Sequence, residues 1–313
     1  MLIPILAART GWHTDELRRA LAARGYEGVV LPYEGLVARL GGRAGSGGAA
    51  DGAAGGAARL TSDDRALLDA PAVLARIIPA GSLEQVIFRV DALHWLESRG
   101  VRVMNPPRAI ERTVDKFYTS ALLQDAGVAT PETVVCERSD VAMEAFRQMG
   151  DAVVKPLFGS MGLGMVRVSD EEVAWRVFRA LEAIRGVYYL QRTVDHGGRD
   201  VRAFVIGDRV VGAIERRARD PDGAHGWRTN VSRGGSAHAV ELPAAWDALA
   251  VRAARAVGAD YAGVDLLPTG DGAVYVLEVN GIPGWRGLQQ ATSLDVAGAI
   301  TDHLLAPSAA ARR

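Results

Sequence analysis

The stretch Val274-Tyr-Val-Leu-Glu-Val-Asn-Gly-Ile-Pro-Gly284 carries the residues with the clearest chemical potential. Read as a strand that breaks into a Gly/Pro turn, it presents Glu278 and Asn280 on one face, about 6.6 Å apart, because side chains alternate with period two. Just upstream, Tyr261-Ala-Gly-Val-Asp-Leu-Leu267 sets Asp265 among apolar residues. Two carboxylates and an amide oxygen are hard donors of the kind that suit Mg²⁺, an ion that keeps several waters and completes its octahedron with substrate phosphates. The bland alternative is that Asp265 ends a strand while Glu278 and Asn280 are ordinary polar residues beside a turn. A phosphate-bearing substrate should leave its own mark elsewhere. Lys155 ends the strand-like run Ala152-Val-Val-Lys-Pro156, and Leu157-Phe-Gly-Ser-Met-Gly-Leu-Gly164 follows it. Gly159, Gly162 and Gly164 carry no Cβ, so backbone amides there can approach an anion, although a plain hairpin connection would use glycine as readily. Further on, Glu215-Arg-Arg-Ala-Arg-Asp220 and Trp227-Arg-Thr-Asn-Val-Ser-Arg-Gly-Gly235 supply Arg216 and Arg228. These are either part of a solvated face or bidentate partners for phosphate or a developing oxyanion.

The elements that must position these groups follow a regular order. The opening apolar run from Met1 reads as a buried first strand, since it has no basic n-region and meets Arg9 at once. Thr14 to Gly25 is a helix with Leu17, Ala20 and Leu21 on one side, and Val29-Val-Leu31 is the next strand, a βαβ opening that predicts an open α/β sheet. Residues 41–58 are almost wholly Gly and Ala, which predicts a flexible insertion. Leu74 to Ile78 is a strand, Leu83 to Ser98 an amphipathic helix and Val101 to Met104 a strand, closed by Asn105-Pro-Pro107. The spacing then predicts a single helix from Ala109 to Ala126, a strand at Thr133-Val-Val135 and a helix from Asp140 to Met149. After Lys155 and its glycine turn come a strand at Met165-Val-Arg-Val168, a helix from Glu171 to Gly186 and a strand at Val187-Tyr-Tyr-Leu-Gln191. Asp200 to Ile214 is a hairpin turning at Gly207-Asp208, and Ala244 to Gly258 is the helix that leads into the carboxylate-bearing strands.

Composition sets the outer limits. A chain of 313 residues, 49% hydrophobic and 23% charged, suits a globular protein of two or three structural units. A net charge of −1 gives no reason to expect nucleic acid or membrane as a partner, and no run approaches the length of a membrane span. The lone Cys136 allows no intrachain disulfide, reads as a plain strand residue, and makes the cytoplasm the simplest expected location.

Five motifs in order carry a family likeness: Asn105-Pro-Pro-Arg-Ala-Ile-Glu-Arg-Thr-Val-Asp-Lys116, Val154-Lys-Pro-Leu-Phe-Gly-Ser-Met-Gly-Leu-Gly164, Asp200-Val-Arg202, Arg228-Thr-Asn-Val-Ser-Arg-Gly-Gly235 and Leu277-Glu-Val-Asn280. Over residues 105–284 the chain resembles ATP-grasp carboxylate-amine ligases, and among them the RimK-like α-L-glutamate ligases. The resemblance implies an α/β (α+β) protein, with a pre-ATP-grasp open α/β domain at 1–107, an ATP-grasp small lid at 108–190, a C-terminal lobe with the metal site at 191–306 and a disordered tail at 307–313. It implies that Lys116 and Lys155 contact ATP phosphates, that Gln191, Arg192 and Thr193 lie on the hinge facing adenine, and that Asp200 reads ribose. By the same likeness Arg228, Thr229 and Asn230 bind the nucleotide, and Asp265, Glu278 and Asn280 hold Mg²⁺ (or Mn²⁺). Lys155 and Arg216 would act in catalysis, and Arg202, Trp285 and Arg286 would meet the substrate. Two departures stand out. Arg192 follows the hinge glutamine where relatives usually have an acid, and Gly281-Ile-Pro-Gly-Trp-Arg-Gly287 replaces the Ser-Pro-Gly-Leu-Glu-Gly of the ribosomal-protein glutamylase. An aromatic and a guanidinium at 285 and 286 suit a flat acidic small molecule. With Gly81-Ser-Leu-Glu-Gln-Val86, they resemble the branch that glutamylates tetrahydromethanopterin-type pterins. The expected activity is ATP-dependent ligation of an amino acid, glutamate, to a small-molecule carboxylate by a homo-oligomer. The alternatives are glutamylation of a protein C-terminus, an ATP-grasp kinase and a non-catalytic nucleotide-binding protein.

Overall fold

The computed structural model describes residues 1–41, 58–159, 162–218 and 236–307. The expected flexible insertion, the centre of the glycine turn, the Arg228–Asn230 segment and the expected tail thus lie wholly or mainly outside the described residues. The chain divides into two compact units, Met1–Arg108 with Asp295–Arg313, and Ala109–Leu294.

The first unit is built on a parallel sheet of β1 (Leu2–Ala7), β2 (Glu27–Pro32), β6 (Ala72–Ala75) and β7 (Arg102–Met104) in the order β2-β1-β6-β7. Its central strand is apolar on both faces, with Ile3, Ile5 and Leu6 fully buried, as a sheet covered on both sides requires. Helix α1 (Trp12–Ala22) buries Leu17, Ala20 and Leu21, and α2 (Leu83–Ser98) opens with a capping box in which Ser82 accepts from Gln85 N. β3 (Leu36–Arg39), β4 (Arg59–Ser62) and β5 (Arg65–Ala66) form a small antiparallel sheet. The last helix, Val296–Leu305, belongs here too: Arg19 bonds Asp295 at 2.6 Å and Arg24 bonds Asp302 at 2.5 Å. Residues 295–306, expected with the C-terminal lobe, therefore pack with the first unit instead.

The second unit contains two antiparallel sheets. The smaller has the order β10-β9-β11-β8, from β8 (Thr133–Cys136), β9 (Ala152–Lys155), β10 (Val166–Val168) and β11 (Tyr188–Arg192). One face is covered by α5 (Ser139–Met149) and α6 (Glu171–Ala183), which pack Phe146, Met149 and Phe178 on Ala152, Val154, Tyr188 and Leu190. Strand alternation then sends Lys155, Tyr189 and Gln191 to the opposite face. The larger sheet runs β14-β13-β12-β15-β16, from β12 (Arg199–Ile206), β13 (Arg209–Arg217), β14 (Ser236–Ala239), β15 (Tyr261–Pro268) and β16 (Val274–Asn280). Helix α7 (Ala244–Val257) covers one face, burying Ala250, Ala254 and Val257 against Val201, Ala203, Val264 and Val276. Asp200, Arg202, Asp265 and Glu278 take the other.

One expected helix needs correction. The helix predicted over 109–126 is two, α3 (Pro107–Val114) and α4 (Lys116–Asp125). Asp115 between them is extended, and its carboxylate accepts from Tyr118 N at 3.0 Å, the geometry of an N-cap. In β16 the pairing slips after Asp265–Glu278, so that Leu266 faces Val276 and Leu277 bulges out. Val276 and Val279 consequently both enter the core, three residues apart.

Candidate active site

On the smaller sheet, Lys155 and Gln191 are buried, each less than a tenth exposed. Lys155 Nζ donates to Gln191 Oε1 at 2.5 Å and stands 5.9 Å from the ring centre of Tyr189, its cross-strand neighbour. Gln191 Nε2 donates to Thr133 Oγ1 at 3.0 Å and to the Tyr189 hydroxyl at 3.4 Å. Burial pulls the Lys155 ammonium from 10.5 down to about 8; Lys116 adds to the fall and Glu278 opposes it. Lys116 begins α4, where its Nζ donates to Gly159 O at 2.9 Å and its amide reaches Leu157 O at 3.4 Å, tying the glycine turn to this helix. It is also held below the usual lysine range, by burial first and against the pull of Glu278 and Asp115. Both lysines thus feel the Glu278 carboxylate across the gap between the two sheets.

On the larger sheet, register brings opposite charges face to face, Asp200 opposite Arg216 and Arg202 opposite Asp265, and sets two carboxylates, Asp265 and Glu278, side by side. Arg216 grips Asp200 with two bonds of 2.6 and 2.7 Å and also reaches Asp265 at 2.9 Å, while Arg202 holds Asp265 with two bonds of 2.6 Å. Burial pushes the Asp265 carboxyl up, but the two guanidinium groups outweigh it and hold it down at about 2. Arg216, for its part, is held firmly charged, its burial offset by Asp265 and Asp200. Gly263, beside this pairing, accommodates Pro283, since a Cβ there would sit 3.0 Å from the proline ring.

The oxygen donors suit a divalent cation. Asp265 and Glu278 are paired across the strands and Asn280 lies two residues on, with its Oδ1 accepting from Ile282 N at 3.0 Å. Both Asp265 oxygens already accept from arginine, which leaves the half-buried Glu278 and Asn280 as the more available ligands. Among the described residues no group of three or more His, Cys, Asp or Glu forms a metal cluster, so an ion here would draw on two carboxylates, one amide and its substrate.

Several of the residues expected to contact ligands have partners within the protein. The Gln191 amide faces Lys155 rather than an open hinge. Arg192 bonds Glu132 at 2.6 Å and Met149 O at 2.8 Å, and Thr193 bonds Asp151 at 2.8 Å, so these side chains brace the end of the sheet. Asp200, expected at ribose, is clamped by Arg216. Trp285, expected to stack on the acceptor, is completely buried with its ring edge-on to Phe204 at 6.4 Å, because it caps α8 (Arg286–Thr292) where that helix covers the sheet. Arg286 beside it is exposed. Arg228, Thr229 and Asn230 lie outside the described residues. Tyr189, Thr133 and Ser120 were not anticipated, although strand alternation from Gln191 already points Tyr189 toward the same face.

Sequence comparison matches residues 113–304 to the RimK-like ATP-grasp domain. The chain belongs to the RimK-like ATP-grasp family. Tetrahydromethanopterin:alpha-L-glutamate ligase of Methanosarcina acetivorans is 37% identical over 266 residues, 76% of this chain and 81% of the relative. The Methanococcus maripaludis protein of the same name is 30% identical over 310 residues, 97% and 98% of the two chains. Such kinship makes this RimK-like protein an ATP-dependent ligase. Its fold is shared by the ATP-grasp ligase PsnB, solved with a minimal precursor, Mg and ADP (TM-score 0.71, 23% identity, 97% of each chain). A RimK domain protein from Sphaerobacter thermophilus is similar too (TM-score 0.70, 24% identity, covering 97% of this chain and 100% of that one). No helix among the described residues is long and apolar enough to cross a membrane.

Proposed function

We propose that this protein joins L-glutamate to a carboxylate of a pterin-type small molecule, using ATP. The observation that carries the reading is the convergence of Lys116, Lys155 and Glu278 from one helix and two sheets, in a chain whose relatives bear that activity in their names. An acceptor carboxylate oxygen attacks the γ-phosphorus of ATP and ADP leaves. The amine of glutamate then attacks the acyl carbon, and phosphate departs with the C–O bond while the amine proton passes to solvent. Lys116 and Lys155 orient the triphosphate, with the turn at Gly159 held over it by Lys116. Glu278 and Asn280, backed by Asp265, would hold Mg²⁺ or Mn²⁺, which when bound supplies charge neutralisation on the phosphates. Arg216, locked between two aspartates, supplies a fixed positive field; Arg202, with a side chain 21% exposed, is the guanidinium that reaches the acceptor. Exposed Arg286 offers the acceptor a second cation. The reading places the protein in the cytoplasm, as a homo-oligomer acting on small molecules rather than nucleic acid or membrane, in keeping with its net charge of −1 and single cysteine.

ADP release should require both a pterin acid and glutamate, with mass spectrometry showing a product heavier by one glutamyl residue. Glu278→Ala should leave the fold intact and abolish turnover. ADP release that needs only a hydroxyl compound would mark a kinase instead, and efficient glutamylation of a peptide C-terminus with no reaction on pterin acids would overturn the acceptor assignment.

A further inference from the structure

The hydroxyl of Tyr189 lies within a chain of hydrogen bonds whose proton directions can all be counted. Ser120 Oγ donates its single proton to Lys116 O at 2.8 Å, so its 2.9 Å bond with the Tyr189 hydroxyl has tyrosine as the donor. Thr133 Oγ1 likewise donates to Pro131 O at 2.8 Å and must accept from Gln191. With Ser120 and Thr133 both left as acceptors, the two protons of the Gln191 amide go to Thr133 and to the Tyr189 oxygen. The carbonyl oxygen of Gln191 is then turned toward Lys155 and no other rotamer of the amide satisfies the set. A flipped amide would set N–H groups against an ammonium, in a buried site where such a clash is strong.

We propose that Tyr189 is a positioning residue for the ligase reaction: its hydroxyl locks the Gln191 amide, which aims Lys155, and anchors that amide to helix α4, which begins at Lys116. One hydroxyl thereby sets the spacing of the two phosphate-directed lysines, one at the start of α4 and one on β9. The tyrosine ring adds to this, since it lies directly across from Lys155 in the strand register and 5.9 Å from its ammonium. This inference rests on the reading that both lysines bind ATP phosphates.

Calorimetric binding of Mg-AMPPNP to the full-length protein tests it, in a cycle of Tyr189→Phe and Lys155→Met. Tyr189→Phe keeps the ring and should weaken binding about tenfold, the scale of one buried hydrogen-bond set. In the Lys155→Met background the same change should have less than about a twofold effect, since the hydroxyl acts through the lysine. An equal factor in both backgrounds, or no loss from Tyr189→Phe while Lys155→Met alone weakens binding strongly, would overturn the positioning role and spare the ligase reading. If Lys155→Met and Lys116→Met both bind like the parent, the phosphate assignment itself has failed. Should Tyr189→Phe not fold, Ser120→Ala with Thr133→Val removes the two acceptors that orient the tyrosine hydroxyl and the Gln191 amide, and the same comparison in the two Lys155 backgrounds decides.

Discussion

Lys155 makes a quantitative prediction about protons. With its ammonium held at about 8, the side chain is about half neutral at pH 8 and about one-tenth neutral at pH 7. Phosphate groups placed beside it favour the charged form and carry its proton affinity back toward the ordinary 10.5. Binding of Mg-AMPPNP at pH 8 should therefore take up about 0.5 proton, against about 0.1 at pH 7. The sign follows from linkage: the complex holds more protons than the free protein between about pH 8 and 10, so affinity falls as pH rises through this window. Between pH 7 and pH 9 the loss should be about tenfold. Titrations at pH 8 in two buffers of different ionisation enthalpy yield the proton count directly, and Lys155→Met should bring it near zero. An uptake of zero in the parent at pH 8, or an uptake unchanged in Lys155→Met, would refute the assignment of this lysine to the phosphates.

Two further outcomes follow from burial. Trp285→Ala should lower stability by about 3–5 kcal/mol, the scale for emptying a fully buried aromatic site, as read by urea unfolding; a loss below about 1 kcal/mol together with a raised acceptor KM would mean that the ring faces substrate after all. Asp265→Asn strips a carboxylate from two arginines and should destabilise by about 3–5 kcal/mol, whereas Asp265→Glu should recover part of that; equal unfolding midpoints for parent and Asp265→Asn would show that the ionic pairing contributes little.

Most of the element order was legible because it rests on local pattern. The helix at 83–98, the hairpin turning at Gly207-Asp208 and the paired strands 261–268 and 274–280 all follow from alternation, period and turn residues. What escaped was long-range or sterically small. Asp115 breaks a helical pattern that runs on without interruption, and the capping role of its carboxylate depends on a backbone angle that periodicity does not report. Arg216 stands in a run of charges that fits a solvated face as well as an anion site, and alternation within β13 turns it inward to an aspartate 16 residues away, while Arg202 meets one 63 residues away. Trp285 is expected at the acceptor because the family likeness puts it just after the carboxylate-bearing strand, but the helix it caps folds back over the sheet. The candidate site residues were readable as a set; which of them face each other was decided by strand register, and that is a property of pairing rather than of any one segment.

The return of the last helix to the first unit has a consequence for synthesis. Arg19 and Arg24 find their aspartates 276 and 278 residues downstream, whereas the second unit is one continuous segment. On the ribosome the interior unit can close while the surface of α1 that later receives Val296–Leu305 still lacks its cover. Domains as a rule fold in the order in which they emerge; here α1 emerges well before the helix that covers it, so it is a segment that a nascent-chain chaperone would find open while the interior unit folds.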